Sequence, residues 1–282
     1  MSTEAVSTDG YLLDNQQAQA GRRLAALAAV FDASTFRHLR ALGLGPGWRV
    51  WEVGAGGPSV SDWIARQVAP DGEVVASDLD TSWLTGGRPE VRVLRHDVGT
   101  DPPPEGPFDL IHARLVLVHV PQRERAIEAM VSALRPGGWL VLEDADPALQ
   151  PLLCPEDDGP AQQLANRLKV GFRELMAQRG ADLAFGRTLP RRLRAAGLAD
   201  VAADAYFPMT GPACAELERA TIEQIRGQLI SAGLATVEEI DGHLAHVAAG
   251  DLDLATSPMI SAWGRRTDTV GAAGFEPATA RL

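Results

Sequence analysis

Cysteine, tyrosine, positive net charge and long apolar runs are all scarce in this chain. Only Cys154 and Cys214 occur in 282 residues, which excludes a disulfide framework. Neither has a Cys or His nearby at metal-ligand spacing, so both read as free thiols of a reducing compartment, and no metal is expected. The longest apolar runs, such as LAALAAVF at 24–31, fall far short of the ~20 residues that span a bilayer. The opening MSTEAVSTDG lacks the basic start and apolar stretch of a secretory signal. A net charge of −11 repels phosphate backbones and argues against a nucleic-acid partner. The arginine-rich stretches at 187–194 and 265–266 are too short to overturn that and read as solvated helix faces. These absences predict a cytoplasmic protein with no membrane or nucleic-acid partner; a homodimer is compatible with them.

What is present is globular. Hydrophobic residues make up 45% and charged residues 22%, near the average for folded domains, and the length suits one large domain or a domain with a smaller cap. Helical spacing of Leu24, Leu27, Val30 and Phe31 predicts an N-terminal helix over 15–42, closed by the breakers at 43–47. Apolar strands follow near 49–53, 73–78, 91–95, 108–113 and 137–143, with helices between most of them, which predicts a parallel sheet covered on both faces. A helix over 122–135 carries Ile127, Met130, Val131 and Leu134 as its stripe and meets Pro136-Gly137-Gly138. Four prolines at 147–160 exclude a regular element there. Helices at 161–179 and 188–197, a strand at 201–208, a helical block at 213–248 and a last strand at 259–263 complete the pattern, with disorder expected over 267–282.

The most informative local feature is RVWEVGAGG at 49–57, a strand running into a glycine turn, with Asp78 ending the next strand. Bare glycines at Gly54 and Gly56 permit positive φ and close approach of a ligand. The spacing of 24 residues to an acidic group is close to the ~20 expected when both serve one nucleoside within a βαβ unit. Five segments in order, EVGAGG at 52–57, VVASDLD at 74–80, RHDV at 95–98, FDLIHARLVLVHVP at 108–121 and LRPGGWLVLED at 134–144, make residues 49–144 resemble class I S-adenosylmethionine-dependent methyltransferases of the small-molecule, natural-product-like branch. One departure is Pro58 at the third glycine position of that family's turn, where proline suits the first turn of a helix.

The resemblance implies a Rossmann-like, doubly wound, mostly parallel seven-stranded sheet. It divides the chain into an N-terminal helical lid at 1–45, a cofactor-binding core at 46–146, the rest of the sheet with cap insertions (147–190 and 212–250) at 147–266, and a tail at 267–282. It implies S-adenosyl-L-methionine as cofactor and methyl transfer to O, N or C of a small organic acceptor. By resemblance, Glu52 serves the turn or the methionine ammonium, Gly54, Ala55 and Gly56 form the turn, and Asp78 with Leu79 meets the ribose side. Asp97 receives the adenine amine and Val98 flanks the base. The backbone at Ala113 and Arg114 lies along the methionine part. Tyr11 faces the sulfonium or acceptor, and Arg22 or its neighbour Arg23 pairs with the cofactor carboxylate.

His119 is the candidate general base, ahead of His112, since a lone histidine in an apolar segment more often has a structural role. Glu143, Asp144 and Asp146 read as solvated or capping carboxylates. Leu183, Phe185, Tyr206, Phe207, Met209, Leu229, Ile230 and Leu244 in the extra blocks are the candidate acceptor-pocket residues, with core packing accounting for most of them equally well. The alternative reading is an enzyme of this fold that binds the same cofactor but catalyses a cyclisation or rearrangement. A nicotinamide oxidoreductase fits the 95–98 and 134–144 segments poorly, and a binding-only role is the remaining rival.

Overall fold

The computed structural model describes residues 12–13, 20–84 and 88–267. Seven strands form one sheet in the order β3-β2-β1-β4-β5-β7-β6. These are β1 (Arg49–Val53), β2 (Glu73–Asp78), β3 (Val91–Arg95), β4 (Phe108–Arg114), β5 (Leu134–Ala145), β6 (Ala199–Tyr206) and β7 (Met259–Arg265). The first five run parallel, whereas β7 lies antiparallel between β5 and β6. The helices are α1 (Ala20–Ala41), α2 (Pro58–Val68), α3 (Arg123–Ala133), α4 (Pro160–Gln178), α5 (Leu189–Ala195), α6 (Pro212–Ser231) and α7 (Val237–Ala249).

Strand periodicity splits the core in two, because successive side chains point to opposite faces. Trp51, Val53, Ile111, Leu140 and Leu142 face α3 and α5, meeting Ile127, Met130, Leu189 and Leu193. Val50, Leu110, Val74 and Val141 face the other way, onto Trp63, Ile64 and Val68 of α2 and Leu39 of α1. Phe36 stacks on Trp63 at 4.1 Å between ring centroids, fixing the second half of α1 against α2. The first half of α1 is thereby carried across the end of β1. A separate cluster, including Leu168, Leu175, Ile222, Ile225, Leu229 and Ile240, joins α4, α6 and α7 into a cap.

Some boundaries differ from the sequence reading. The helix predicted over 122–135 ends at Ala133, and β5 begins at Leu134 rather than 137. Leu134 and Arg135 precede Pro136, whose ring disfavours helical geometry in the residue before it, and Arg266 donates to the carbonyls of Ser132 and Leu134. Between β2 and β3 the described residues contain no helix; Asp80 Oδ1 accepts from Ser82 N at 2.9 Å in a local turn. The block at 213–248 is two helices, separated where Gly233 adopts φ 69° and Thr236 starts α7 with a capping box to Glu239. Pro58 occupies the first turn of α2, with extended Gly57 as its N-cap, so the departure from the family turn fits helix geometry. Residues 14–19 and 268–282 lie outside the described residues, as does Tyr11.

Candidate functional site

In an open α/β sheet, ligands bind beyond the carboxyl ends of strands where the strand order reverses. Here β1 lies between β2 and β4, so its end is such a point. A cavity of about 1290 Å³ opens there, bounded by the ends of β1, β2, β4 and β5, by α1, and by faces of α4 and α6.

One wall of this cavity is backbone. Gly54 and Gly56 have φ of 61° and 62°, which L side chains rarely adopt. A Cβ on Gly54 would also lie 2.3 Å from Val116 Cγ2. The turn is held from beneath: Gly56 N donates to Asp78 Oδ2 at 2.8 Å, Asp80 N donates to Asp78 Oδ1 at 3.0 Å, and Ala55 N donates to Ser77 O at 3.0 Å. Burial pushes the Asp78 carboxyl above its ordinary value, although the N–H groups of Asp80 and Gly56 oppose that shift. With Leu79 N–H as a third donor, the Asp78 carboxylate still has acceptor capacity, because its two oxygens offer about four lone-pair sites. Leu79, Asp97 and Val98 line the cavity beyond it, with Asp97 Oδ1 accepting from Gly99 N at 2.8 Å. The lining therefore brings together Gly54, Ala55, Gly56, Asp78, Leu79, Asp97, Val98, Arg114 and His119.

Arg114 is oriented by Asp32 Oδ1 at 2.8 Å and Thr35 Oγ1 at 3.0 Å, both on α1. His119 sits on a single 3-10 turn, Leu117–His119, directly after β4. Burial first, and then the positive charges of Arg23 and Arg123, lower its pKa to about 4. It is therefore a neutral imidazole at neutral pH.

Glu52 and Ala113 are buried but absent from the cavity wall. Glu52 Oε2 lies 2.6 Å from His112 Nδ1, and His112 Nε2 lies 3.2 Å from Glu143 Oε2. Glu143 also accepts from Thr35 Oγ1 and, at 2.6 Å, from Ser261 Oγ, and His38 Nδ1 approaches it at 3.3 Å. His38 continues the chain to Asp204 at 2.9 Å. Burial alone would lower the His112 pKa, but Glu52 and Glu143 raise it from 6.5 to about 9. The fully buried His112 is thus a cation clamped between two carboxylates behind the glycine turn. Among the described residues, no group of three or more His, Cys, Asp or Glu side chains is arranged to hold a metal ion.

Several expectations need correction. Arg22 points away from the cavity and pairs with Glu223 at 3.1 Å, whereas its neighbour Arg23 is buried on the cavity wall. Glu143, Asp144 and Asp146 are buried rather than solvated. β5 is interior to the sheet, so consecutive carboxylates enter opposite covered faces, and each finds its own donors. Asp144 Oδ2 accepts from Val118 N at 3.1 Å, and burial raises its pKa to about 7. Asp146 receives a bidentate Arg187 at 2.6 and 2.7 Å. Arg187 stays exposed while pairing with Asp146, and Arg192, lying 4.8 Å over the Phe185 ring, is the arginine that leaves the expected solvated face.

None of the eight predicted acceptor-pocket residues lines the cavity. Phe185 and Leu229 are core, Leu183 and Leu244 pack against the cap cluster, and Tyr206, Phe207, Met209 and Ile230 are exposed. The cap wall comes from other faces of the helices: Lys169, Phe172 and Met176 on α4, and Cys214, Leu217, Glu218 and Thr221 on α6. Their spacing of three, four and seven residues was the available signal.

The model of the methyltransferase domain family matches residues 15–203. Methyltransferase str2 of Strobilurus tenacellus is 29% identical over 233 residues, covering 77% of this chain and 81% of that protein. The ubiquinone/menaquinone biosynthesis C-methyltransferase UbiE of Vibrio parahaemolyticus is 32% identical over 120 residues, and the match spans only 46% of its length. In fold, the chain is similar to phosphoethanolamine N-methyltransferase 2 of Haemonchus contortus, solved with S-adenosyl-L-methionine, at a TM-score of 0.58 and 16% identity over 94% of this chain and 61% of that one. A methyltransferase structure from Bacillus halodurans matches with a TM-score of 0.53 and 18% identity, over 83% of this chain and 99% of that one. With the matched region covering more than half the chain and its cavity at the glycine-turn edge of the sheet, this protein belongs to the methyltransferase domain family and is a class I, S-adenosylmethionine-dependent methyltransferase.

Proposed function

We propose that the enzyme transfers a methyl group to O, N or C of a small organic acceptor, with cofactor and acceptor sharing the one cavity. The observation that carries this is the division of its wall: glycine turn, Asp78, Asp97 and Val98 on the sheet side, helix side chains of the cap on the other. The positive-φ glycines keep the turn bare where a Cβ would press on Val116 or Leu24 of the cavity wall, and Asp78 retains acceptor capacity for ribose hydroxyls, so the residues present fit S-adenosyl-L-methionine. Asp97 accepts the adenine amine, Val98 and Leu79 flank the base, and the turn of Gly54, Ala55 and Gly56 passes along the nucleoside. Arg114 and the end of β4 border the methionine part, and Arg23, rather than Arg22, is placed for its carboxylate. Glu52 acts indirectly, through the buried cation that holds the turn in place.

Bound S-adenosyl-L-methionine supplies an electrophilic methyl group. The protein's task is then mainly alignment in a closed site, which in well-oriented systems contributes ~7 to 11 kcal/mol. His119 accepts the proton that an O–H acceptor sheds. A pKa of about 4 suffices there, because the positively charged oxygen formed on methylation is far more acidic than the imidazolium, whereas an N–H acceptor gives its proton to solvent. The buried, free Cys154 and Cys214 support a reducing, cytoplasmic setting.

Calorimetry with S-adenosyl-L-methionine and S-adenosylhomocysteine, with NADH as control, followed by mass spectrometry of acceptor mixtures, tests the proposal. Saturable binding of the first two and an acceptor gaining one methyl group are expected. Turnover of an acceptor with no methyl gained would overturn it in favour of a cyclisation or rearrangement.

A further inference from the structure

Of the 26 basic residues in the sequence, Lys169 alone is a lysine. It stands on α4, facing the cavity, with Phe172 and Met176 one and two turns further along the same face. Its Nζ lies 5.3 Å from the centre of the Phe172 ring. Among the described residues no carboxylate comes within ion-pair distance of it. The nearest anion on the wall, Glu218, has Oε1 committed to the buried His243 Nε2 at 2.9 Å. Burial lowers the Lys169 pKa, while the field of Glu218 opposes this and that of Arg173 adds to it.

The other cavity cations differ. Arg114 is engaged by Asp32 and Thr35, Arg95 donates to Leu79 O at 3.2 Å, and Arg179 donates to Leu175 O at 3.2 Å. Arg23 lies beside His119, whose charge it opposes, on the α1 side. Lys169 is thus the ammonium of the cap wall, set among Phe172, Met176, Leu217 and Thr221. A compact charge on a flexible stem suits an apolar wall where a planar guanidinium fork would need more donors satisfied. A cation kept in such a place without an ion partner gains most when a ligand delivers the anion.

We propose that the acceptor is an apolar molecule bearing a carboxylate, and that Lys169 is the specificity-determining residue that receives that carboxylate at the cap end of the cavity. This rests on the methyl-transfer reading, which places cofactor and acceptor at opposite walls. The field of Glu218, whose Oε1 is tied to His243, favours the charged ammonium against the cost of burial. The acceptor's apolar body then lies along Phe172, Met176 and Leu217, directing its far end toward the glycine turn.

The test begins with S-adenosylhomocysteine binding to the wild-type protein and to Lys169→Met and Lys169→Arg. Loss of that binding in the wild type overturns the methyl-transfer reading itself. The loaded proteins are then titrated with benzoate, 2-naphthoate and 4-phenylbutanoate and with their primary amides. The expected result is that acids bind the wild type more tightly than amides. Lys169→Met should lose about ten- to hundredfold in acid affinity, Lys169→Arg less, and cofactor affinity should not change. Because Lys169 is the single lysine of this sequence, its trinitrobenzenesulfonate labelling, read by peptide mass spectrometry, should be slowed by the bound acid. Equal binding of acids and amides, unchanged acid affinity in Lys169→Met, or no binding of any acid to loaded protein would overturn the assignment.

Discussion

The interior behind the glycine turn and the cavity in front of it each receive one histidine from the same stretch of chain, and the two are in opposite charge states. His112, at the middle of β4, is clamped by Glu52 and Glu143 and is raised to about 9. His119, just past the end of that strand, meets burial and two arginines and is lowered to about 4. Both are desolvated, so burial alone does not decide protonation; the sign of the neighbouring charge does. The interior uses a fixed imidazolium to hold two carboxylates together, and the cavity wall keeps a neutral imidazole.

Removing the interior member should have the largest effect. His112→Ala leaves Glu52 and Glu143 facing each other without their cation, and is expected to cost ~3 to 5 kcal/mol in denaturant unfolding. The pH dependence sharpens this. A histidine raised from 6.5 to about 9 contributes stability that is complete below 6.5 and lost as pH climbs through about 9. Glu143, held below its ordinary 4.5 by His112 and His38 against the cost of burial, contributes stability present above 4.5 and lost at lower pH. The difference in stability between wild type and His112→Ala should therefore be greatest between 4.5 and 6.5 and shrink on either side. A difference independent of pH would break the comparison.

On the cavity side, Asp78→Ala removes the carboxylate that supports Gly56 and, in the proposed cofactor placement, meets the ribose. A loss of ~3 kcal/mol or more in S-adenosylmethionine affinity is expected from two charged hydrogen bonds, measured by calorimetry. Near-normal affinity would remove Asp78 from the ribose. His119→Gln should lower kcat by about a hundredfold with cofactor affinity retained. The wild-type rate should hold down to about pH 4 before His119 takes up its proton. A rate that His119→Gln leaves intact would assign proton removal to solvent. The smallest effect is set far from both histidines. Thr236→Ala breaks the capping box of α7 and should cost ~1 kcal/mol of stability with cofactor binding untouched.

The sheet-side wall of the cavity was legible in the sequence because its residues follow from local pattern. A strand, a glycine pair and an acidic strand end lie at spacings set by one βαβ unit, so Gly54, Gly56, Asp78, Asp97 and Val98 arrive together once the strands pair in order. The cap wall was not legible. Helical periodicity identifies a stripe but not which partner each stripe faces, and α4 and α6 pack against one another as well as over the cavity. Residues chosen by apolarity alone, such as Leu229 and Phe185, went to the cores, while Lys169, Glu218 and Thr221 took the wall. Arg22 and Arg23 show the same limit at single-residue scale: neighbours on a helix point about 100° apart, and only packing against α6 decides which one faces outward.

By itself, then, the sequence determined the order of elements, the parallel sheet, the glycine turn and the family, since each depends on periodicity or on conformations that only glycine and proline favour. The tertiary structure decided what lies between elements distant in sequence. It joined His38, Glu52, His112, Glu143 and Asp204 into one buried charge chain, set His119 beside Arg23, and turned Lys169 into the cavity. The physical reason is that the charge state and reach of a side chain depend on neighbours in space, and those neighbours come from α1, from several strands and from the cap helices at once.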